Sequence, residues 1–197
     1  MNDIFPPRIP GINLMVGSFL PRMRLSSLAG PKLAPIDLVE EGTLGICVYN
    51  PGAVNPFPLP PRGVDLPRRL AMLQERDVSL YVISGLGLPR LSSWMEMIGV
   101  DVHSLSDADG EFSQTVGIPI KRVDGHNFRT HMSFILQEDR VLSMLLEADL
   151  VHDFERVLVA LDVAANQTVG EYDLPDKPWH YRRDEYLDDE FLPELEP

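Results

Sequence analysis

Residues 45–70, GICVYNPGAVNPFPLPPRGVDLPRRL, predict an apolar strand, a proline-rich loop and the start of a helix. The first five have the length and β-branched content of a buried strand, and Asn50-Pro51-Gly52 is a turn signal that ends it. Asp65 is a candidate N-cap residue for a helix over residues 65–76. In α/β proteins, a loop that joins a central strand to a helix N-terminus commonly carries the functional residues. We therefore expect those residues near 51–63.

The rest of the chain predicts strands and helices in alternation, then a hairpin and a last helix. We expect strands at 78–84, 132–137 and 141–147, an extended piece at 100–105, helices at 91–98, from Glu111 and around 154–161, a helical turn or short strand at 36–39, and a polar loop at 121–130. This order is that of an α/β fold in which helices cover both faces of a mixed sheet.

The composition limits the classes of function. A chain of 197 residues is long enough for one domain with a substantial core. Its net charge of −13 argues against nucleic acid or an anionic membrane as a partner, and favours a soluble protein or one that docks on a basic surface. Neither a signal peptide nor an apolar run of membrane-spanning length is visible, so we expect a cytoplasmic protein without membrane insertion.

Several short motifs occur in a consistent order along residues 16–165. They are V16-G17-S18-F19-L20-P21, P51-G52-A53-V54-N55-P56-F57-P58, L105-S106-D107-A108-D109-G110-E111-F112 with V116-G117-I118, and the predicted hairpin after residue 131. Together they resemble the peroxiredoxins, the alkyl hydroperoxide reductase/thiol-specific antioxidant or redoxin family of the thioredoxin superfamily. The resemblance implies a thioredoxin-like mixed sheet flanked by helices, and a short N-terminal hairpin at 16–25.

The same resemblance places the family's catalytic groups on residues of different chemistry. In the loop pattern P-G-A-F-T-P-x-C, the peroxidatic cysteine falls on Pro58 and the threonine on Asn55. The family's peroxide-binding arginine falls on His131, with Arg129 two residues earlier and on the same face if the strand extends that far. A peroxidatic thiolate needs sulfur at a helix N-terminus, and proline has neither sulfur nor an N–H group. The resemblance thus implies a peroxiredoxin-like protein that lacks its peroxidatic cysteine.

Cys47 is the only cysteine, so neither an internal disulfide nor a two-cysteine peroxidase cycle is possible within one chain. Its place in the apolar strand predicts burial, where a thiol stays protonated. The alternative is a one-cysteine thiol peroxidase or oxidoreductase that uses Cys47. The five histidines show no zinc-binding spacing, and we expect no metal and no cofactor.

The ends of the chain differ from the predicted domain at 16–167. Residues 1–15 predict an extended arm, and residues 168–197 an acidic tail that carries seven of the thirteen net negative charges. Aromatic side chains at this density are costly to leave in water, so the tail is expected either to wrap on its own domain or to dock on another subunit. Its aromatic residues are Tyr172, Trp179, Tyr181, Tyr186 and Phe191.

The first functional hypothesis is a catalytically degenerate peroxiredoxin-like protein that acts as a binding or structural module, or as a subunit of a larger assembly. Its partner surfaces are expected to be loop 51–63, with Phe57, Pro58 and Leu59, and the aromatic tail. Homo- or hetero-oligomers are both compatible with such surfaces. Binding of a small anion by Arg129, His131 and Asn55 is a further hypothesis.

Overall fold

The computed structural model describes residues 13–14, 16–39, 42–50, 64–99, 101–123, 126–138, 140–148, 150–151 and 153–167. Its eight strands are β1 (Ser26–Ser27), β2 (Leu44–Asn50), β3 (Val78–Ser84), β4 (His103–Ser106), β5 (Ile120–Val123), β6 (His126–Arg129), β7 (Met132–Gln137) and β8 (Arg140–Leu146). Its helices are α1 (Leu66–Gln74), α2 (Leu88–Ile98), α3 (Glu111–Val116) and α4 (Phe154–Gln167), and a 3-10 turn spans Pro35–Leu38.

Six of these strands form one mixed sheet in the order β1-β4-β3-β2-β7-β8. The central strands β2, β3 and β4 are parallel, whereas β7 and β8 join as an antiparallel hairpin beside β2. Strands β5 and β6 form a separate two-stranded hairpin. The predicted α/β fold with a mixed sheet is therefore confirmed.

Side chains of β2 alternate between two cores, as the period of a strand requires. Ile46 and Val48 pack with apolar residues of α1 and α4 on one face of the sheet. Cys47 and Tyr49 pack on the other face, with Phe112 of α3 and with residues from the N-terminal segment. Since both faces are covered, β2 is a continuous apolar run, as the sequence predicted.

Most of the predicted elements are confirmed, with three corrections. Helix α2 begins at Leu88 rather than Leu91, because Pro89 is accepted in the first turn of a helix. The predicted polar loop at 121–130 is wrong, since β5 and β6 pair there through backbone groups that polar side chains do not reveal. The N-terminal hairpin implied for residues 16–25 takes another form, in which Phe19 pairs with Arg140 and Leu25 with Leu33.

The predicted N-cap of α1 is confirmed, and α1 is bound to the segment before α4. The Asp65 carboxylate accepts a hydrogen bond from Arg68 N at 3.0 Å. Arg69 Nη1 donates to Leu150 O at 2.6 Å, and its guanidinium lies 5.0 Å from the centre of the Phe154 ring. Helices α1 and α4 therefore share one face of the sheet. None of the helices in the described ranges combines the length and apolar character needed to cross a bilayer.

Gly45 is required where the segment after the 3-10 turn approaches β2. A Cβ atom added at Gly45 would lie 2.5 Å from Val39 Cγ2, which is closer than packed atoms allow. Val39 is buried, so it has little room to move. We predict that Gly45→Ala lowers the free energy of unfolding by about 1–3 kcal/mol, measured by urea denaturation.

Gly87 supplies the matched control. It precedes α2, has a negative φ, and a Cβ atom there would meet nothing within 4 Å. Gly87→Ala should therefore change the free energy of unfolding by less than about 1 kcal/mol. Equal losses in the two variants would contradict the proposed close approach of Val39.

Candidate functional site

The carboxyl ends of β2, β3 and β4 meet at one edge of the sheet, which we call the carboxyl edge. Asn50 lies opposite Ser84, and Ser84 lies opposite Ser106, so the three strands end in register. Residues 51–63, which the sequence predicts as a loop, follow the last residue of β2 at this edge and precede α1 in the chain. In open α/β sheets, ligands bind outside the carboxyl ends of the parallel strands.

Several of the predicted site residues lie outside the described residues. They are Asn55, Phe57, Pro58 and Leu59 of the loop, and Tyr172, Trp179, Tyr181, Tyr186 and Phe191 of the tail. Their assignment as altered catalytic positions or as partner contacts stays a prediction. The arm at 1–15 and the boundaries of the domain at 16–167 stay predictions as well.

Cys47 lies in the middle of the sheet, three residues before the carboxyl edge. It is paired with Tyr81 of β3 on one side and with Phe134 of β7 on the other, and its side chain is 0% exposed. Burial raises the pKa of the Cys47 thiol well above its usual range, and the neighbouring Tyr81 hydroxyl lowers the pKa only in part. The burial predicted for Cys47 is thus confirmed, and the thiol is protonated at neutral pH.

The Tyr81 hydroxyl is itself buried beside this thiol. Among the described residues, it has no hydrogen-bond partner of ordinary geometry. Burial, followed by the proximity of Cys47, raises the pKa of Tyr81 well above its usual value. Neither group of this pair is therefore a ready nucleophile or base.

Asp107 anchors the short helix α3 at the carboxyl edge. Its side chain is 1% exposed, and its two oxygens accept hydrogen bonds from Phe112 N at 2.8 Å and Ser113 N at 3.1 Å. Asp107 N also donates to Ser84 O at 2.7 Å. A carboxylate that accepts N–H groups at a helix N-terminus is favourable, because those groups have no partner within the helix. Asp107 thus joins α3 to the end of β3.

Tyr49 lies beneath α3 and is surrounded by the polar groups of this edge. Its ring stacks on Phe112 with the centroids 6.3 Å apart. Burial raises the pKa of Tyr49 to about 12; the Ser113 side chain lowers it, Asp107 raises it, and Arg129 lowers it. These interactions place Tyr49, Asp107, Ser113 and Arg129 in one cluster.

Arg129 is held against the end of α3. Its Nη1 atom donates to Ile118 O at 3.2 Å and to Ser113 O at 3.5 Å, and a cation is favourable beside carbonyl groups at a helix C-terminus. His131 lies between β6 and β7, and its carbonyl oxygen accepts from Glu147 N at 3.0 Å. Arg129 and His131 do not share a face of one strand, because β6 ends at Arg129 and β7 begins at Met132.

Sequence reasoning missed Tyr49, Asp107 and Ser113 as members of the edge cluster. Asp107 was part of a recognised motif, but its pattern predicted only a turn before a helix. An aspartate five residues before a helical N–H group lies beyond the usual capping distance, so local rules do not reveal the bond. Among the described residues, no group of three His, Cys, Asp or Glu side chains is placed to hold a metal ion.

Solved structures with similar folds include several peroxiredoxins. Peroxiredoxin Q of Xylella fastidiosa has a TM-score of 0.64 at 15% identity, with 79% of this chain and 99% of that chain covered. The bacterioferritin comigratory protein of Xanthomonas campestris, described for its alkyl peroxide reduction, has a TM-score of 0.62 at 16% identity over 78% and 99% of the two chains. Prx3 of Vibrio vulnificus has a TM-score of 0.59 at 20% identity over 76% and 99%.

These likenesses define the class of fold. The chain has a peroxiredoxin-type, thioredoxin-like fold, as its motifs implied. At identities of 20% or less they establish the fold alone. No protein-family model and no curated protein sequence matches the chain.

Asp107 allows a test of how the carboxyl edge is held. In the unmodified protein, each carboxylate oxygen of Asp107 accepts a hydrogen bond from one backbone N–H group. In Asp107→Asn, an amide NH₂ group replaces one of these oxygens, so one backbone N–H group faces another donor and loses its acceptor. We predict that Asp107→Asn lowers the free energy of unfolding by about 1–3 kcal/mol, measured by urea denaturation.

Asp109 is the control for this substitution. It accepts a hydrogen bond from Glu111 N at 3.2 Å but is exposed to solvent. Asp109→Asn should therefore cost much less than Asp107→Asn. A similar loss of stability in both variants would show that burial of the Asp107 carboxylate is unimportant.

The raised pKa values predict a loss of stability at alkaline pH. Each group binds its proton more tightly when folded, so its contribution is complete below the unfolded pKa and is lost as pH rises toward the folded pKa. For Cys47 the decline should begin near the unfolded thiol pKa of about 8.5, with a slope of about 1.4 kcal/mol per pH unit. Tyr49 and Tyr81 should add to the decline above about pH 10.

The thiol contribution is separable by mutation. Cys47→Ala should remove the dependence of the unfolding free energy on pH between about 8.5 and 10, whatever its effect on stability at pH 7. Urea denaturation at a series of pH values measures both slopes. An unchanged slope in Cys47→Ala would mean that the thiol pKa is not raised in the folded protein.

Proposed function

We propose that this protein does not carry out thiol peroxidase chemistry, and that it serves as a binding or structural module, as a subunit of a larger protein assembly. The main observation behind this proposal is the position of Cys47, the only cysteine in the chain. Cys47 is fully buried and lies in a strand that is paired with a neighbour on both sides. Peroxide reduction requires a thiolate that meets the peroxide oxygen, and a buried thiol with a raised pKa provides neither charge nor access.

The surroundings of Cys47 support the same proposal. Tyr81, Phe134 and the apolar residues of the core enclose it, and no described cation lies among the groups that influence its pKa. Arg129, a cation that could hold a peroxide or another anion, donates to the carbonyl group of Ser113 in α3 and to that of Ile118 just after α3. Both of these hydrogen bonds stabilise the fold at the end of α3.

Sequence supports a role in binding for two segments. Loop 51–63 contains five prolines, and proline loses little conformational entropy when a segment becomes ordered. Phe57 and Leu59 would supply apolar contacts between those prolines. The tail combines aromatic residues, which are favoured at interfaces, with acidic residues that suit a basic partner surface.

Peroxide consumption by the pure full-length protein tests the first half of the proposal. With dithiothreitol or a thioredoxin system as reductant, hydrogen peroxide and an alkyl hydroperoxide should disappear no faster than in protein-free buffer. Cys47→Ser should behave identically. Thiol titration with an aromatic disulfide should label Cys47 only after unfolding in guanidinium chloride, since the native thiol is buried.

Turnover that Cys47→Ser abolishes would overturn the proposal. It would establish the one-cysteine peroxidase alternative, and rapid labelling of the native thiol would accompany it. A peroxiredoxin with an intact cysteine, assayed in parallel, confirms that the reductant and peroxide are competent.

Purification from the native source tests the second half. The tagged full-length protein should bring down one protein in stoichiometric amount, and Phe57→Asp should lose it. Val159→Asp is the matched control, because Val159 is an exposed apolar residue on α4, outside both segments. Equal recovery with Phe57→Asp and Val159→Asp would exclude loop 51–63 as a partner contact.

A further inference from the structure

A groove on the described surface lies at the opposite end of β3 and β4 from the carboxyl edge. It is about 510 Å³ in volume and is bounded by α1, α2, the start of β4 and the turn after β1; we call it the α1–α2 groove. Its apolar floor is formed by Leu70, Leu73, Val78, Leu80, Met95 and Val102. This volume is within the range of about 300–1,000 Å³ typical of ligand pockets.

The rim of the groove is polar, with one exposed apolar residue. Gln74, Asp101 and His103 provide hydrogen-bonding groups along it. Leu28, also in the wall, is 37% exposed. An apolar floor with a polar rim suits an occupant that has an apolar body and a polar tip, as the side chains of tyrosine and tryptophan do.

The described part of the chain ends close to this groove. Leu73 of α1 belongs to the same apolar core as residues of α4 and also lines the groove, so α1 lies between α4 and the groove. Near the end of α1, Arg76 Nε lies 3.8 Å from Asp162 Oδ1 of α4. Helix α4 continues for only five residues beyond Asp162. Gln167, the last residue that the structure describes, is therefore a short distance from the side of α1 that faces away from the groove.

The remaining length of chain is sufficient to reach the groove. Packed helices lie about 8–10 Å apart, so the groove is roughly one helix diameter from α4. An extended chain covers about 3.3 Å per residue, which allows Tyr172 to reach about 17 Å from Gln167 and Trp179 about 40 Å. At least two aromatic side chains of the tail are thus within reach of the floor.

We propose that the acidic aromatic tail, residues 168–197, docks in the α1–α2 groove of its own chain through its aromatic side chains. Tyrosine and tryptophan place their rings on the leucine and valine floor, while the hydroxyl and N–H groups meet the polar rim. The acidic residues between them remain in water, where their charge is solvated. The inference is separate from the question of peroxidase activity, because peroxide turnover and tail docking are measured independently.

Trypsin sensitivity of the full-length protein tests the docking. Arg182 and Arg183 lie in the tail, and a docked tail is cleaved after them more slowly than an undocked one. Leu28→Glu places a charge at the groove wall on an exposed side chain, so folding is retained. We expect Leu28→Glu to accelerate cleavage several-fold, as followed by mass spectrometry, and Ala29→Glu, at a second exposed wall residue, to act in the same direction.

Val159→Glu is the matched control, since it adds the same charge to an exposed apolar residue outside the groove. Its cleavage rate should equal that of the unmodified protein. In a Trp94→Phe background, Trp179 is the only tryptophan, and its emission should shift to longer wavelength in Leu28→Glu but not in Val159→Glu.

Three results would overturn the proposal. Equal cleavage rates in the unmodified protein and both groove variants would mean that the groove does not hold the tail. Faster cleavage in Val159→Glu as well would point to a general effect of charge. Protection that disappears on dilution, together with a dimer mass in sedimentation, would place the tail in the groove of a second copy instead.

Discussion

Pairing of β2 with a neighbour on each side is the constraint on which the rest of the structure depends. The strand is hydrogen-bonded to β3 and β7 and is covered on both faces, so each of its side chains is assigned to one of two cores. Cys47 therefore lies on the α3 side of the sheet, where none of its surface is exposed. The chemistry of the only thiol follows from the position of this strand.

The carboxyl edge illustrates how polar groups in this fold stabilise packing. Asp107 accepts hydrogen bonds from two backbone N–H groups of α3, and Arg129 donates to the carbonyl groups of Ser113 in α3 and of Ile118, which follows the helix. The two charges are thus complementary to the two ends of the α3 dipole. In this position α3 covers Tyr49 at the carboxyl edge. The raised pKa of Tyr49 keeps its hydroxyl group protonated at neutral pH.

Local sequence patterns were sufficient to predict the strands in which nearly every side chain is buried. The strands β2, β3 and β7 are unbroken apolar runs, and α1 has a carboxylate cap with a proline in its first turn, so each was predictable from a short window. The β5–β6 hairpin was not, because its strands have four residues each and pair through backbone groups. The contact between Arg129 and α3 joins residues that are eleven or more positions apart, and a local pattern contains no information on such pairs.

The sequence by itself determined the α/β class, the order of the elements, the peroxiredoxin-like motifs and the presence of a single cysteine. Only the tertiary structure decided that Arg129 meets α3 rather than lying beside His131 on one strand, that Asp107 anchors α3 to β3, and that the α1–α2 groove exists. The reason is physical. Composition and periodicity indicate which side chains of a segment are buried and which are exposed, whereas these contacts depend on which segments lie side by side in the folded protein.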